Sequence, residues 1–140
     1  MTNRFIDQLK NKNQNNSLDK GHMTLYLNEE GFGLEQMGVD RPPTENELIV
    51  IHYLENIGRR WQNSIMLNFA YLIPHAGETR IAFTIDKTGT LTELHVVESS
   101  GDQKLDTMLL YGLKFAAPFA PLPKEIKGDF YQETINFRIG

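Results

Sequence analysis

Arg80–Phe119, RIAFTIDKTGTLTELHVVESSGDQKLDTMLLYGLKFAAPF, decides how the rest of the chain is read. From Arg80 to Asp86, Ile81, Phe83 and Ile85 alternate with Arg80, Thr84 and Asp86. That period of two predicts a strand with one buried face. Asp86-Lys87-Thr88-Gly89 then turns the chain, and Gly89 tolerates the positive φ of a short hairpin loop. Leu91–Glu98 alternates again, with Leu94 and Val96 on one face and Glu93 and His95 on the other. The expectation is a β-hairpin. Ser99-Ser100-Gly101-Asp102 follows and offers side-chain oxygens to the unpaired N–H groups of a helix start. Leu105, Met108, Leu109, Gly112, Leu113 and Ala116 recur at spacings of three and four, which predicts an amphipathic helix. Gly112 within that stripe predicts close approach of the helix to the sheet.

Upstream, Thr44-Glu45-Asn46-Glu47 has the form of a capping box, placing a helix from Glu45 to about Leu67. Its apolar stripe is Val50, Leu54, Ile57, Trp61 and Ile65, so Trp61 is expected in the core. Residues 1–43 are Asn-rich, and Gly31, Gly33 and Gly38 interrupt them. They read as a flexible polar linker, with Thr24–Leu27 as a candidate short strand and Gly31-Phe32-Gly33 as flexible chain rather than a phosphate loop. Residues 44–140 read as the folded domain. Downstream, Pro118, Pro121 and Pro123 exclude helix and impose an extended connection. Tyr131–Ile139 alternates once more, with Ile135, Phe137 and Ile139 on the buried face. The order helix, strand, strand, helix, strand predicts an α+β fold, two helices on one face of a three-stranded antiparallel sheet. The last strand pairs beside the first strand of the hairpin and becomes a sheet edge.

A chain of 140 residues with a hydrophobic fraction of 40% sets a prior of one domain. Its net charge of −4 carries no electrostatic footprint for nucleic acid. The absence of cysteine excludes disulfides, thiol catalysis and cysteine–metal sites. No apolar run reaches the roughly 18–20 residues of a spanning helix. His95, Ser100 and Asp102 do not make a nucleophilic triad, because the chain has no nucleophile elbow and no oxyanion-hole segment. His22, His52, His75 and His95 are scattered without metal-ligand spacing. No cofactor, metal or enzymatic activity is therefore expected. Pro118–Pro123 reads as a connector whose Phe119 and Leu122 pack under the sheet, rather than as a polyproline ligand.

The hairpin with its central Gly, ESSGDQKLD and LKFAAPFAPLP together resemble the C-terminal domain of the TonB energy-transducer family, in the form whose strands follow a Trp-containing helix. The resemblance runs from about Glu47 to Phe137. Tyr71 and Pro74 are near matches to the family's aromatic-plus-proline segment, although here they are not adjacent. The resemblance implies a periplasmic domain whose parent is anchored in the inner membrane of a Gram-negative bacterium. It also implies binding to the TonB box of an outer-membrane transporter and coupling to an ExbB/ExbD-like motor. The expectation is that the membrane anchor has been removed from this chain. TonB-family domains can swap strands, so a homodimer is allowed. A TolA-like link of the cell envelope is the alternative. Because edge strands capture extended peptides, the expected partner-binding residues are Gln132, Glu133, Thr134, Ile135, Asn136, Phe137 and Arg138.

Overall fold

The computed structural model describes residues 23–28, 31–36 and 42–140. The elements are β1 (Met23–Asn28), β2 (Gly31–Gln36), α1 (Glu45–Phe69), β3 (Gly77–Asp86), β4 (Leu91–Glu98), α2 (Gln103–Ala116) and β5 (Phe130–Ile139). The α+β class and the order from α1 to β5 are those expected.

Helix α1 begins at the capping box: the Thr44 hydroxyl accepts from the Glu47 N–H at 3.1 Å, and the Glu47 carboxylate accepts from the Thr44 N–H at 2.9 Å. Its stripe of Val50, Leu54, Ile57, Trp61 and Ile65 is buried throughout. Trp61 has no exposed surface and meets Phe137 at 4.8 Å and Phe83 at 6.4 Å, both edge to face. That geometry suits the ring quadrupoles. The indole N–H donates to the Leu109 carbonyl at 2.9 Å, so burying this group leaves no polar atom unpaired. Trp61 thus ties α1 to α2 and to the seam between β3 and β5.

Helix α2 buries the six residues its periodicity named. Gly112 corrects one expectation. A Cβ there would lie 2.7 Å from Ile65 Cγ1, so the close approach is to α1 and not to the sheet.

The β3–β4 turn forms at Asp86, whose carboxylate accepts from the Thr88 N–H, the Thr88 hydroxyl and the Thr90 N–H. Gly89 has φ +96°. A Cβ there would also strike the Phe119 carbonyl at 2.1 Å. The connector after α2 docks on this turn, with Phe119 N–H donating to the Gly89 carbonyl at 2.8 Å and Leu122 N–H to the Lys87 carbonyl at 3.1 Å.

Among the described residues the sheet has five strands in the order β2-β1-β5-β3-β4, where three were expected. The expected neighbours β5-β3-β4 are present and antiparallel. The two additional strands come from residues 23–36, within the stretch read as a linker. Gly31-Phe32-Gly33 belongs to β2 rather than to flexible chain. Met23, Leu25 and Leu27 of β1 alternate and are buried in the same core as α1 and α2, which is why this hairpin joins the sheet. Gly33 sits opposite Tyr26, whose ring occupies the space a side chain at 33 would need. The last strand is therefore not an edge: β1 pairs with its outer side in parallel.

Candidate partner-binding edge

Strand β5 turns alternate residues to the two faces of the sheet. Tyr131, Ile135, Phe137 and Ile139 point into the core beneath the helices. Glu133 shares that face and is buried, its carboxylate accepting from the Tyr131 hydroxyl at 2.7 Å. Burial, and then the neighbouring Glu133, push the Tyr131 hydroxyl well above the ordinary tyrosine pKa. Tyr53 packs edge-on against Tyr131 at 6.0 Å and donates to the Ala120 carbonyl at 2.7 Å. Burial, helped by Asp86, raises its pKa to about 12. Both phenols thus remain protonated donors at physiological pH.

Gln132, Thr134, Asn136 and Arg138 lie on the opposite face, which no helix covers among the described residues. There the Arg80 guanidinium donates to Asn136 Oδ1 at 3.0 Å and pairs with Glu98 at 3.5 Å. The Thr84 hydroxyl donates to Glu93 at 3.1 Å. Thr134 is buried on this face as well, opposite Ala82.

The seven residues expected to receive a partner thus form one continuous strand, but both of its sides are paired over part of its length. On one side β3 runs antiparallel from Gly77↔Ile139 to Asp86↔Phe130. On the other, β1 runs parallel with Thr24↔Asn136, Leu25↔Phe137, Tyr26↔Arg138 and Leu27↔Ile139. The strand is not an edge because the candidate strand at Thr24–Leu27, expected within a flexible linker, joins the sheet beside it. The alternation of Met23, Leu25 and Leu27 was the signal that could have found it.

Among the described residues the sheet ends at β2 and at β4. The outer side of β4 borders a shallow cavity of about 320 Å³, formed with Leu110, Tyr111 and Lys114 of α2. Register shifts interrupt β4 near both ends, between Arg80 and Ile81 and between Thr84 and Ile85 of its partner strand.

The SSG-x-x-x-LD segment is a built turn. The Asp106 carboxylate accepts from the Ser99 hydroxyl, from the Ser100 N–H at 3.0 Å and hydroxyl at 2.8 Å, and from the Thr79 hydroxyl at 2.8 Å. Burial pushes its pKa up, but these donors outweigh burial and hold it below the ordinary carboxylate value. Asp102 caps α2 by accepting from the Lys104 N–H at 2.9 Å. The Ser100 hydroxyl donates within this turn, and His95 lies on β4 opposite Ala82. His52 lies on α1 and His75 between α1 and β3; His22 falls outside the described residues. Among the described residues no cluster of His, Asp and Glu has the form of a metal site. Arg60 clamps the connector, donating to the carbonyls of Ala116 at 2.8 Å and Pro118 at 3.1 Å, and Phe119 is buried. The proline segment is thus packed as a connector.

Among the described residues, a small α+β domain with two helices on one face of its sheet, and with Ser100, Asp106, Tyr53 and Tyr131 engaged in hydrogen bonds, is the class that fold and site define. Residues 51–139 match the family described as TonB C terminal, and the chain belongs to that family. Its domain is a protein-interaction domain. Among solved structures, the chain is similar to the NMR solution structure of the Helicobacter pylori TonB C-terminal domain, at 23% identity and a TM-score of 0.48, over 69% of this chain and 83% of that one. No curated protein matches the chain. Among the described residues no helix is long and apolar enough to cross a membrane.

Proposed function

We propose that this chain is the periplasmic C-terminal domain of a TonB-type energy transducer. It binds the TonB box of an outer-membrane transporter by strand addition along Gln132–Arg138. Through a membrane anchor it receives work from an ExbB/ExbD-like motor in the inner membrane. The domain itself performs no covalent chemistry. The observation that carries the reading is the family match over residues 51–139, which includes β5. The pairing of β1 with the outer side of β5 supports it, since an extended strand of the same chain lies along Asn136–Ile139 there.

The test is titration of the isotope-labelled chain with a synthetic TonB-box peptide, followed by amide shifts. The expected result is saturable binding with the largest shifts at residues 132–138. Shifts confined to Leu91–Glu98 would move docking to the opposite edge of the sheet. Absence of binding, together with binding to a Tol-system partner, would replace the transducer reading with a TolA-like envelope link.

A further inference from the structure

The helix layer carries a second surface, away from β5. We infer that the outer side of the α1–α2 seam docks on an anionic phospholipid bilayer, its aromatic rings entering the interface and its cations meeting lipid phosphates. The inference goes beyond the transducer reading and does not rest on it.

Two observations carry it. The first is apolar surface beyond what the core uses. Phe115 of α2 stacks on Phe69 of α1, with centroids 5.9 Å apart and planes within 10°, and meets Tyr111 at 5.9 Å. Phe115 is nevertheless 56% exposed. Leu67, near the end of α1, is 83% exposed, and Tyr71, in the turn that follows, is 82% exposed. Such side chains stand clear of the protein, so they present no groove for a partner to fill. They suit a medium that they can enter themselves, and aromatic rings favour the headgroup level of a bilayer.

The second observation is the charge of the same sector. Over the whole chain Asp and Glu outnumber Lys and Arg by 18 to 14. Residues 56–77 and 107–123, which supply the seam, contain no Asp or Glu, and their charged residues are Arg59, Arg60 and Lys114. All three are exposed. Of the eight exposed large apolar side chains among the described residues, five fall in these two segments: Met66, Leu67, Tyr71, Tyr111 and Phe115. The Lys114 amine lies 5.6 Å from the Tyr111 ring, so cation and aromatic share one patch. Arg60 reaches across the seam to the carbonyls of Ala116 and Pro118, which bond it without neutralising its charge. Glu93 borders the hollow lined by Tyr111 and Lys114 and accepts from the Thr84 hydroxyl; it marks the limit of the carboxylate-free sector on the β4 side. Exposed rings and cations without carboxylates, on a chain acidic elsewhere, complement an anionic headgroup layer. The same layer repels the acidic remainder. It therefore orients the domain with the helices toward the bilayer and leaves the open face of the sheet free.

The test is flotation of the full chain with two kinds of vesicle: phosphatidylglycerol and phosphatidylcholine in equal parts, and phosphatidylcholine alone. Circular dichroism and Trp61 fluorescence report the fold of each variant. The expected result is binding to the phosphatidylglycerol vesicles, about tenfold weaker binding to phosphatidylcholine alone, and release by high salt. Lys114→Glu is expected to weaken binding about tenfold, whereas Lys114→Arg retains it. Leu67→Ser combined with Tyr71→Ser is expected to weaken it about fivefold, and the exposure of both residues leaves the fold intact. Binding of a TonB-box peptide by Lys114→Glu is expected to match wild type, so either reading can fail without the other. No binding to phosphatidylglycerol vesicles overturns the inference, as does equal binding to both kinds. Binding that survives Lys114→Glu and the Leu67/Tyr71 double variant places attachment elsewhere in the chain and overturns it too. If vesicles stay empty while the chain self-associates, and the double variant is monomeric, the seam is a contact between copies and the bilayer is excluded.

Discussion

Strand β5 is held differently on its two sides. Toward β3 it pairs antiparallel over ten positions, sealed from above by Trp61. Toward β1 it pairs parallel over four, with Leu25 and Leu27 as the apolar contribution alongside Met23. The first pairing joins two elements of the family's matched domain. The second joins segments at opposite ends of the chain. One strand is thus held by ten rungs on one side and by four on the other, and the second hold is the weaker.

The largest effect is expected on the β3 side. Trp61→Ala removes a buried indole and should cost about 3–5 kcal/mol in urea unfolding. Loss of the whole cooperative transition is the expected form, because the ring contacts both β3 and β5. A loss under about 0.5 kcal/mol, the range of ordinary surface changes, would remove the asymmetry between the sides.

On the β1 side, Leu25→Ala should cost about 2 kcal/mol, the low end for a buried leucine, since a strand held by few rungs can shift to fill space. The sharper reading is by amide exchange. Protection at 24–27 should fall while that of Ile81–Ile85 holds, as separate opening units require. If protection falls equally in both stretches, the sheet opens as one unit and the distinction is lost.

These two sides were not equally legible in the sequence. Residues 80–116 announced themselves because alternation, a Gly turn, a capped helix start and a three-four stripe agreed with one another. β3, β4 and α2 lie where those patterns placed them. The β1–β2 hairpin was obscured by local composition: Gly31, Gly33 and Gly38 read as flexibility. Gly33 instead makes room for the Tyr26 ring, a cross-strand contact that no local pattern reports. Direction was hidden too, since a parallel pairing between segments so far apart in the chain leaves no turn signal. The candidate site inherited that gap. Its residues and faces were readable from alternation, whereas its status as an edge depended on a strand elsewhere.

A smaller effect is expected at the turn that leads from β4 into α2. Asp106→Asn should cost about 1 kcal/mol at neutral pH, below the roughly 1.5–3 kcal/mol of hydrogen bonds to a charged acceptor because solvent screens the site. Asp106 has a depressed folded pKa, so its contribution is complete above the unfolded value and is lost as pH falls through the folded one. The difference between wild type and Asp106→Asn should therefore shrink as pH drops below about 4, the unfolded aspartate value. A difference that grows on acidification would mean that the carboxylate is not the favoured form in the fold.

The smallest effect tests the β1 side again. Tyr26→Ala removes the ring over Arg138 and should cost about 0.5–1 kcal/mol, the low end for a cation–π contact, since both side chains keep some solvent access. It should also loosen β1 without touching the core beneath β3. Equal protection at 24–27 in wild type and variant would leave the apolar residues as the whole of β1's attachment.

The parallel direction of β1 also has a mechanical meaning. Tension arriving through the residues before Met23 pulls β1 from its N-terminal end, while the body of the domain holds β5. In a parallel pair this loads the rungs between Thr24–Leu27 and Asn136–Ile139 together, in shear, rather than peeling them one at a time. The Gly140 N–H, bonded to the Leu27 carbonyl at 3.0 Å, adds to the same end. Optical-tweezer extension from residue 22 should show one abrupt rupture of this attachment before the rest of the domain unfolds, and a gradual sawtooth-free release would indicate peeling instead. A grip of only four rungs thus resists traction along the chain better than its length suggests, because the rungs share the load.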